Sequence, residues 1–483
     1  MNNVNFDDTG QTVARNAVYL LVAKAISTSL GLILVLYMAR SLGDAQFGIY
    51  TIGLAMGGIC GIIADVGLNN LTTRQLARDP SSANDFLVNV VLIKLTLALP
   101  VLLGAYIFLT LFGYEIFTRD VVLILICNSL FFHGLQSFYY HIIEGFERMQ
   151  YITILEVVKR IFYLISGILV IYFGYGILVF ALALLTSDLL NFLIIWWVCR
   201  HNFEIRMNLR ASFKKWPALI KKGLPYGLLL AFTMILSSTD IIMIGAIRTE
   251  EEAGWYGACV RLISTLTLIP LMSASAMFPS ISRLYHEGTG NVGEILINVI
   301  RPMVLVGIPI AIGTTVLSEP IILLLFGQTY ISSAPALSIV IWSLSINFIT
   351  MPMVFFLSAV DKQWYATTTM AICALVNIIL NIILIPGYGI IGASITTIIS
   401  QIALFGFCYV PIRSMISVSL LAKYLLQSGL SSLGLWYYLT IAPSIHVIIV
   451  ISIGVLIYLL LLILTRALRW DDWERCKHIL NPG

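Results

Sequence analysis

The sequence predicts an all-α, polytopic membrane protein with about fourteen transmembrane helices, and three observations predict it. Hydrophobic residues make up 59% of the 483 positions and charged residues 11%, against roughly a quarter charged in soluble domains. Mean hydropathy is +0.96 over the whole chain, so the excess is not one greasy core element. Apolar runs of eighteen or more residues recur along almost the entire length. Such runs must be helical in a bilayer, because lipid offers no partner to backbone N–H and C=O groups.

Taken in order, the expected spans are 13–38, 47–68, 86–112, 120–142, 152–173, 177–199, 222–247, 255–279, 296–318, 335–358, 365–386, 390–412, 422–440 and 444–465. The thirteenth is the weakest, being interrupted by Gly429 and Gly434. The first twelve residues are polar and include Asp7 and Asp8, which argues against a cleavable leader, and the apolar run after them is too long for one. With the N-terminus placed in the cytoplasm, nineteen of the 28 Lys and Arg fall in cytoplasmic segments or at the cytoplasmic ends of spans, and only Arg40, Arg119 and Arg248 on the opposite face. That bias places both termini in the cytoplasm and the protein in the cell membrane. Seven cysteines form no CxxC pair and mostly lie in apolar runs, so neither a disulfide framework nor a metal cluster is expected. No cofactor and no nucleic-acid partner is implied.

An internal repeat organises the chain. Gly48-Ile49-Tyr50 opens the second span and Gly254-Trp255-Tyr256 the eighth, 206 residues later. Glu147-Arg148 and Tyr151 precede the fifth span as Asp361-Lys362 and Tyr365 precede the eleventh, offset by 214. Gly174-Tyr175-Gly176-Ile177 matches Gly387-Tyr388-Gly389-Ile390 at an offset of 213, each in a tight turn between spans. Three matches in one order predict a six-plus-six duplication. An even number of spans makes it a parallel repeat, two bundles facing one another across a cavity. The expected division is a bundle at 1–200, a basic linker at 201–221, a second bundle at 222–413, two additional spans at 414–466 and a tail at 467–483.

Ala39-Arg40-Ser41-Leu42-Gly43-Asp44-Ala45-Gln46-Phe47-Gly48-Ile49-Tyr50 resembles the first loop of the polysaccharide-biosynthesis flippases. Asp65-Val66-Gly67-Leu68, with Arg74 and Ala77-Arg78 after it, resembles that family's second span and following loop. The family belongs to the multidrug/oligosaccharidyl-lipid/polysaccharide exporter superfamily, and the likeness covers essentially the whole chain. It implies a flippase that carries a polyprenyl-diphosphate-linked oligosaccharide from the cytoplasmic to the outer leaflet, with membrane lipids as further partners.

Each charge at bilayer depth costs about 2.5–3.5 kcal/mol on insertion scales, so each requires a reason. Lys24 shares a helix face with Asn16, Ser27 and Thr28 in the first span. Arg261 is followed by Ser264 and Thr265 in the eighth. A cation with nearby hydroxyls in each half suits a diphosphate, whose hydration such groups replace. The lipid II branch of the superfamily is similar in placing cations on its first and eighth spans, which implies the same role for Lys24 and Arg261. Lys94 and Arg301 are secondary candidates, since both stand within snorkelling distance of one face. Lys159 and Arg160 have Glu156 as a local partner and are expected to be structural.

Asp188, Asp240 and Asp65 are the candidates for coupling to H⁺ or Na⁺. Asp188 and Asp240 are equally suited to neutralising Lys24 or Arg261, and Asp65 to pairing with Arg74 or Arg78 near a helix end. Gly53, Gly57 and Gly61 form a small-xxx-small series for close helix approach. Pro225, Pro270, Pro279, Pro302, Pro309 and Pro352 are expected to kink spans. His133 and His141 carry no assigned role. Two other functions fit less well. A multidrug or toxin-extrusion antiporter favours a cavity of carboxylates and aromatics and typically has twelve spans. A membrane enzyme requires a large extramembrane loop or an acidic cluster, and Glu250-Glu251-Glu252 reads more simply as a solvated turn, so no catalytic activity is expected.

Overall fold

A computed structural model describes residues 26–79, 83–203, 211–288, 291–416, 418–442, 446–465 and 467. Among these every regular element is helical. Lys24 and Asn16 lie outside the described residues.

The helices run α1 Ile26–Leu42, α2 Asp44–Asp65, α3 Leu68–Arg78, α4 Ala83–Leu111, α5 Ile116–Cys127, α6 Gly134–Gly145, α7 Met149–Tyr172, α8 Ile177–Asn202 and α9 Trp216–Ile247. They continue with α10 Glu250–Leu266, α11 Leu268–Glu287, α12 Val292–Val316, α13 Ser318–Leu325, α14 Ala334–Ala359, α15 Gln363–Tyr409, α16 Val418–Ile441 and α17 Val447–Leu464. Ten helical stretches among the described residues are long and apolar enough to cross a membrane. The chain divides into two compact units, 1–257 and 258–483. By packing, therefore, α9 belongs with the first unit, whereas order in the repeat assigns its span to the second bundle.

Several local departures from the sequence expectation have physical causes. The second span stops at Asp65 because Val66 and Gly67 both take left-handed backbone, with φ of 50° and 76°. The chain then enters α3, an element the sequence reading treats as loop. Leu68, Leu71, Thr72 and Leu76 form its buried face, and the three leucines pack with Phe138, Tyr139, Ile142 and Ile143 of α6. The expected fourth span is α5 and α6 joined through a π-helical stretch, Asn128–His133. The eighth is α10 and α11, broken at Thr267, because Pro270 has no N–H for the Leu266 carbonyl. Pro225, Pro279, Pro302, Pro309 and Pro352 sit inside helices. The eleventh and twelfth spans are the two limbs of α15, which turns at Gly389 with φ 54° and ψ −133°. In the matching turn before α8 the left-handed residue is Gly174, at φ 74°. The repeated Gly-Tyr-Gly thus supplies positive φ in both turns, through its first glycine in one and its second in the other.

The glycine series on α2 acts as expected: a Cβ at Gly53 would strike Leu125, and one at Gly57 or Gly61 would crowd Ser129. Ser129 Oγ donates to the Gly57 carbonyl at 2.6 Å. In the second unit α16 is continuous through Gly429 and Gly434, correcting the expected interruption. Gly434 is needed there because Leu461 of α17 lies against it. These last two helices are attached to α12 by polar contacts as well as by apolar packing. Tyr458 Oη donates to the Leu305 carbonyl at 2.8 Å, and Ser428 Oγ to the Val304 carbonyl at 3.2 Å.

Candidate functional site

Four buried charged side chains of the first unit pair off in two clusters, Asp65 with Lys94 and Asp188 with Lys159. In the first, Lys94 of α4 pairs with Asp65 at 2.8 Å. The same ammonium donates to Asn69 Oδ1 at 2.8 Å and to the Gly134 carbonyl at 3.0 Å. One ion pair and two hydrogen bonds thus hold the ammonium, and the Phe138 ring lies 5.6 Å from the nitrogen. Asp65 also accepts from the Asn69 backbone N–H at 3.4 Å. The α2–α3 turn is what brings Asp65 and Asn69 to one ammonium. Asp65 therefore pairs with Lys94 and not, as the sequence suggested, with Arg74 or Arg78; Arg74 donates to Tyr226 Oη at 2.6 Å.

The second cluster joins α7 to α8. Lys159 pairs with Asp188 at 3.0 Å, with side-chain exposures of 4% and 2%. Its ammonium also reaches Gln136 Oε1 at 2.9 Å and His133 Nδ1 at 3.1 Å. Asn128 donates to the other Asp188 oxygen at 2.7 Å. Gln136 donates onward to Asn191 Oδ1, and the Asn191 amide nitrogen donates to the Leu155 carbonyl at 3.3 Å. Asp188 is thus neutralised by Lys159. The sequence reading offered Lys24 or Arg261 as its partner and Glu156 as the neighbour of the α7 cations. It also missed Asn128 and Gln136 and gave His133 no role, although a signal existed: Asn128, Ser129, His133 and Gln136 are four polar side chains within nine residues of an apolar span.

Asp240 is buried on α9 and accepts from Tyr256 Oη at 2.9 Å. Arg261 is half-buried on α10. The Ser264 and Thr265 hydroxyls both donate to the Arg261 carbonyl, each at 2.9 Å, so toward a ligand they offer lone pairs. Ser27 is buried and Thr28 half-buried on α1. Arg301 donates to the Ala467 carbonyl at 2.6 Å and stacks 5.3 Å from the Tyr424 ring centre, tying α12 to α16 and to the chain beyond α17. Among the described residues the structure therefore joins Asp65 to Lys94 and Asp188 to Lys159.

The two copies of the Gly-x-Tyr motif meet each other. A Cβ on Gly48 would overlap the Glu250 carbonyl and come within 3.0 Å of the Gly254 nitrogen. A Cβ on Gly254 would overlap the Asp44 carbonyl and come within 3.1 Å of the Gly48 nitrogen. The contact is reciprocal, as a repeat-related pair requires. Trp255 Nε1 donates to Asp44 Oδ2 across it at 2.9 Å. At the other end of α2, Gly67 lies against Gly223 and Gly227 of α9.

The family described as polysaccharide biosynthesis protein matches residues 13–285, more than half of the chain. The chain belongs to that family. The family described as lipid II flippase MurJ matches residues 254–468 of this polysaccharide biosynthesis protein. It is similar to a probable low-salt glycan biosynthesis flippase, Agl15, of Haloferax volcanii, at 23% identity covering 80% of this chain and 81% of the relative. It is also similar to the capsular polysaccharide biosynthesis protein CapF of Staphylococcus aureus, at 24% identity covering 82% of this chain and 98% of the relative. Among solved structures, the inward closed conformation of lipid II flippase MurJ matches with TM-score 0.78 and 19% identity, over 92% of this chain and 98% of that one. An inward-facing multidrug resistance MATE family transporter matches with TM-score 0.67 and 15% identity, over 80% and 95%. At these identities the structural likenesses establish a shared fold.

Proposed function

We propose that this protein flips a polyprenyl-diphosphate-linked oligosaccharide from the cytoplasmic to the outer leaflet of the cell membrane, by alternating access of its two bundles and without catalysing a covalent step. Membership of the polysaccharide biosynthesis family carries the reading. The near full-length likeness to a lipid II flippase and the glycan-flippase naming of the relatives support it. In this reading Lys24 and Arg261, one from each half of the repeat, receive the diphosphate, with Ser27, Thr28, Ser264, Thr265 and Asn16 as polar neighbours. Lys94 and Arg301, already bonded to protein, are secondary candidates for the same role. The reciprocal Gly48–Gly254 contact is the seam that must open for release on the outer side. Both termini lie in the cytoplasm. Any coupling to H⁺ or Na⁺ runs through the buried carboxylates, Asp240 on α9 among them.

The experiment is substrate competition in proteoliposomes. A labelled polyprenyl-diphosphate glycan placed in one leaflet should become accessible to a membrane-impermeant lectin in the other only when the protein is present. Accumulation of an organic cation dye, with no movement of the lipid glycan, would instead establish the multidrug antiporter reading.

A further inference from the structure

Three side chains of the second cluster, from the π-helical stretch, α6 and α8, converge on the Lys159 ammonium. Lys159 Nζ has Asp188 Oδ1 at 3.0 Å, Gln136 Oε1 at 2.9 Å and His133 Nδ1 at 3.1 Å. Asp188 and Lys159 are almost wholly buried. Asn128 turns its amide hydrogens to Asp188, and its own carbonyl oxygen accepts no hydrogen bond. A carboxylate and a side-chain amide oxygen are hard oxygen donors, of the kind that hold hard cations. The ammonium lies against both, with the His133 ring nitrogen as its third neighbour.

We infer that the Lys159 ammonium is a tethered cation filling a monovalent-cation site built from Asp188 and Gln136, with Asn128 holding the carboxylate in place. The chain supplies its own cation there, so Asp188 is withdrawn from exchange with solution. Removing the ammonium while keeping the carboxylate leaves a buried anion that recruits Na⁺ or K⁺. The inference does not depend on which lipid headgroup the protein carries.

The test is the melting temperature of purified full-length protein in detergent, in sodium chloride, potassium chloride and choline chloride at equal ionic strength. Wild type should melt at one temperature in all three. Lys159→Met should melt several degrees higher in sodium or potassium than in choline, because a ligand that binds only the folded state stabilises it by mass action. Lys159→Met with Asp188→Asn should lose that dependence. A Lys159→Met protein that behaves alike in the three salts overturns the inference. So does one that folds in none of them, since the carboxylate then recruits no solution cation. Sodium dependence of equal size in wild type overturns it as well.

Discussion

Asp65→Ala is expected to destabilise the protein by about 3–5 kcal/mol, the cost of leaving a buried charge without its partner. Lys94 would keep Asn69 and the Gly134 carbonyl as hydrogen-bond acceptors but lose the only anion of its cluster. The effect extends beyond the pair, because Asp65 also holds the first turn of α3 through the Asn69 N–H. The companion variant, Asp65→Leu with Lys94→Met, should recover most of the loss, since an apolar pair of similar volume removes both desolvation penalties together. Thermal unfolding of the single and double variants in detergent checks this. Equal losses in both would assign the stability to the individual side chains and not to their pairing.

Gly48→Val is expected to force the N-terminal ends of α2 and α10 apart. The added Cβ would meet backbone atoms of Glu250 and Gly254, which cannot rotate away as a side chain can. Overpacking of this kind costs about 1–3 kcal/mol, and separation also breaks the Trp255–Asp44 hydrogen bond. Thr51, buried one turn further along α2, reports the opening. A cysteine placed there should react with maleimide much faster in the Gly48→Val background than alone. Gly104→Val is the control, since nothing lies within 4 Å of a Cβ at Gly104. Unchanged thiol reactivity would show that the seam accommodates the valine without parting.

How much of this was legible in the sequence depended on whether a feature is written along one helix or between helices. The spans were legible because desolvated backbone forces long apolar runs, and the runs are visible residue by residue. The short helices α3 and α13 were not, since eleven and eight residues carry too few turns of periodicity to distinguish them from loop. The break between α10 and α11 was signalled by Pro270 yet read as a kink within one span. Among the charges, sequence ranks depth but not facing. Lys159 and Asp188 are a case where facing could have been read. Lys159 lies fifteen residues before Gly174 and Asp188 fourteen after it, so the α7–α8 hairpin sets them at one level. Asp65 and Lys94 offered no such count, because α3 turns the chain between them. The Gly48 and Gly254 motifs were recognised as copies, but that the copies touch is a fact of tertiary packing.

The central claim is that cations in both halves of the repeat receive an anionic lipid headgroup. Its most direct test is the initial rate at which reconstituted protein exposes a fluorescent polyprenyl-diphosphate glycan on the far leaflet, for wild type, Lys24→Ala and Arg261→Ala. A charge-assisted hydrogen bond contributes about 1.5–3 kcal/mol, so each substitution should slow the rate roughly 10- to 100-fold. Wild-type rates in both variants would contradict the account.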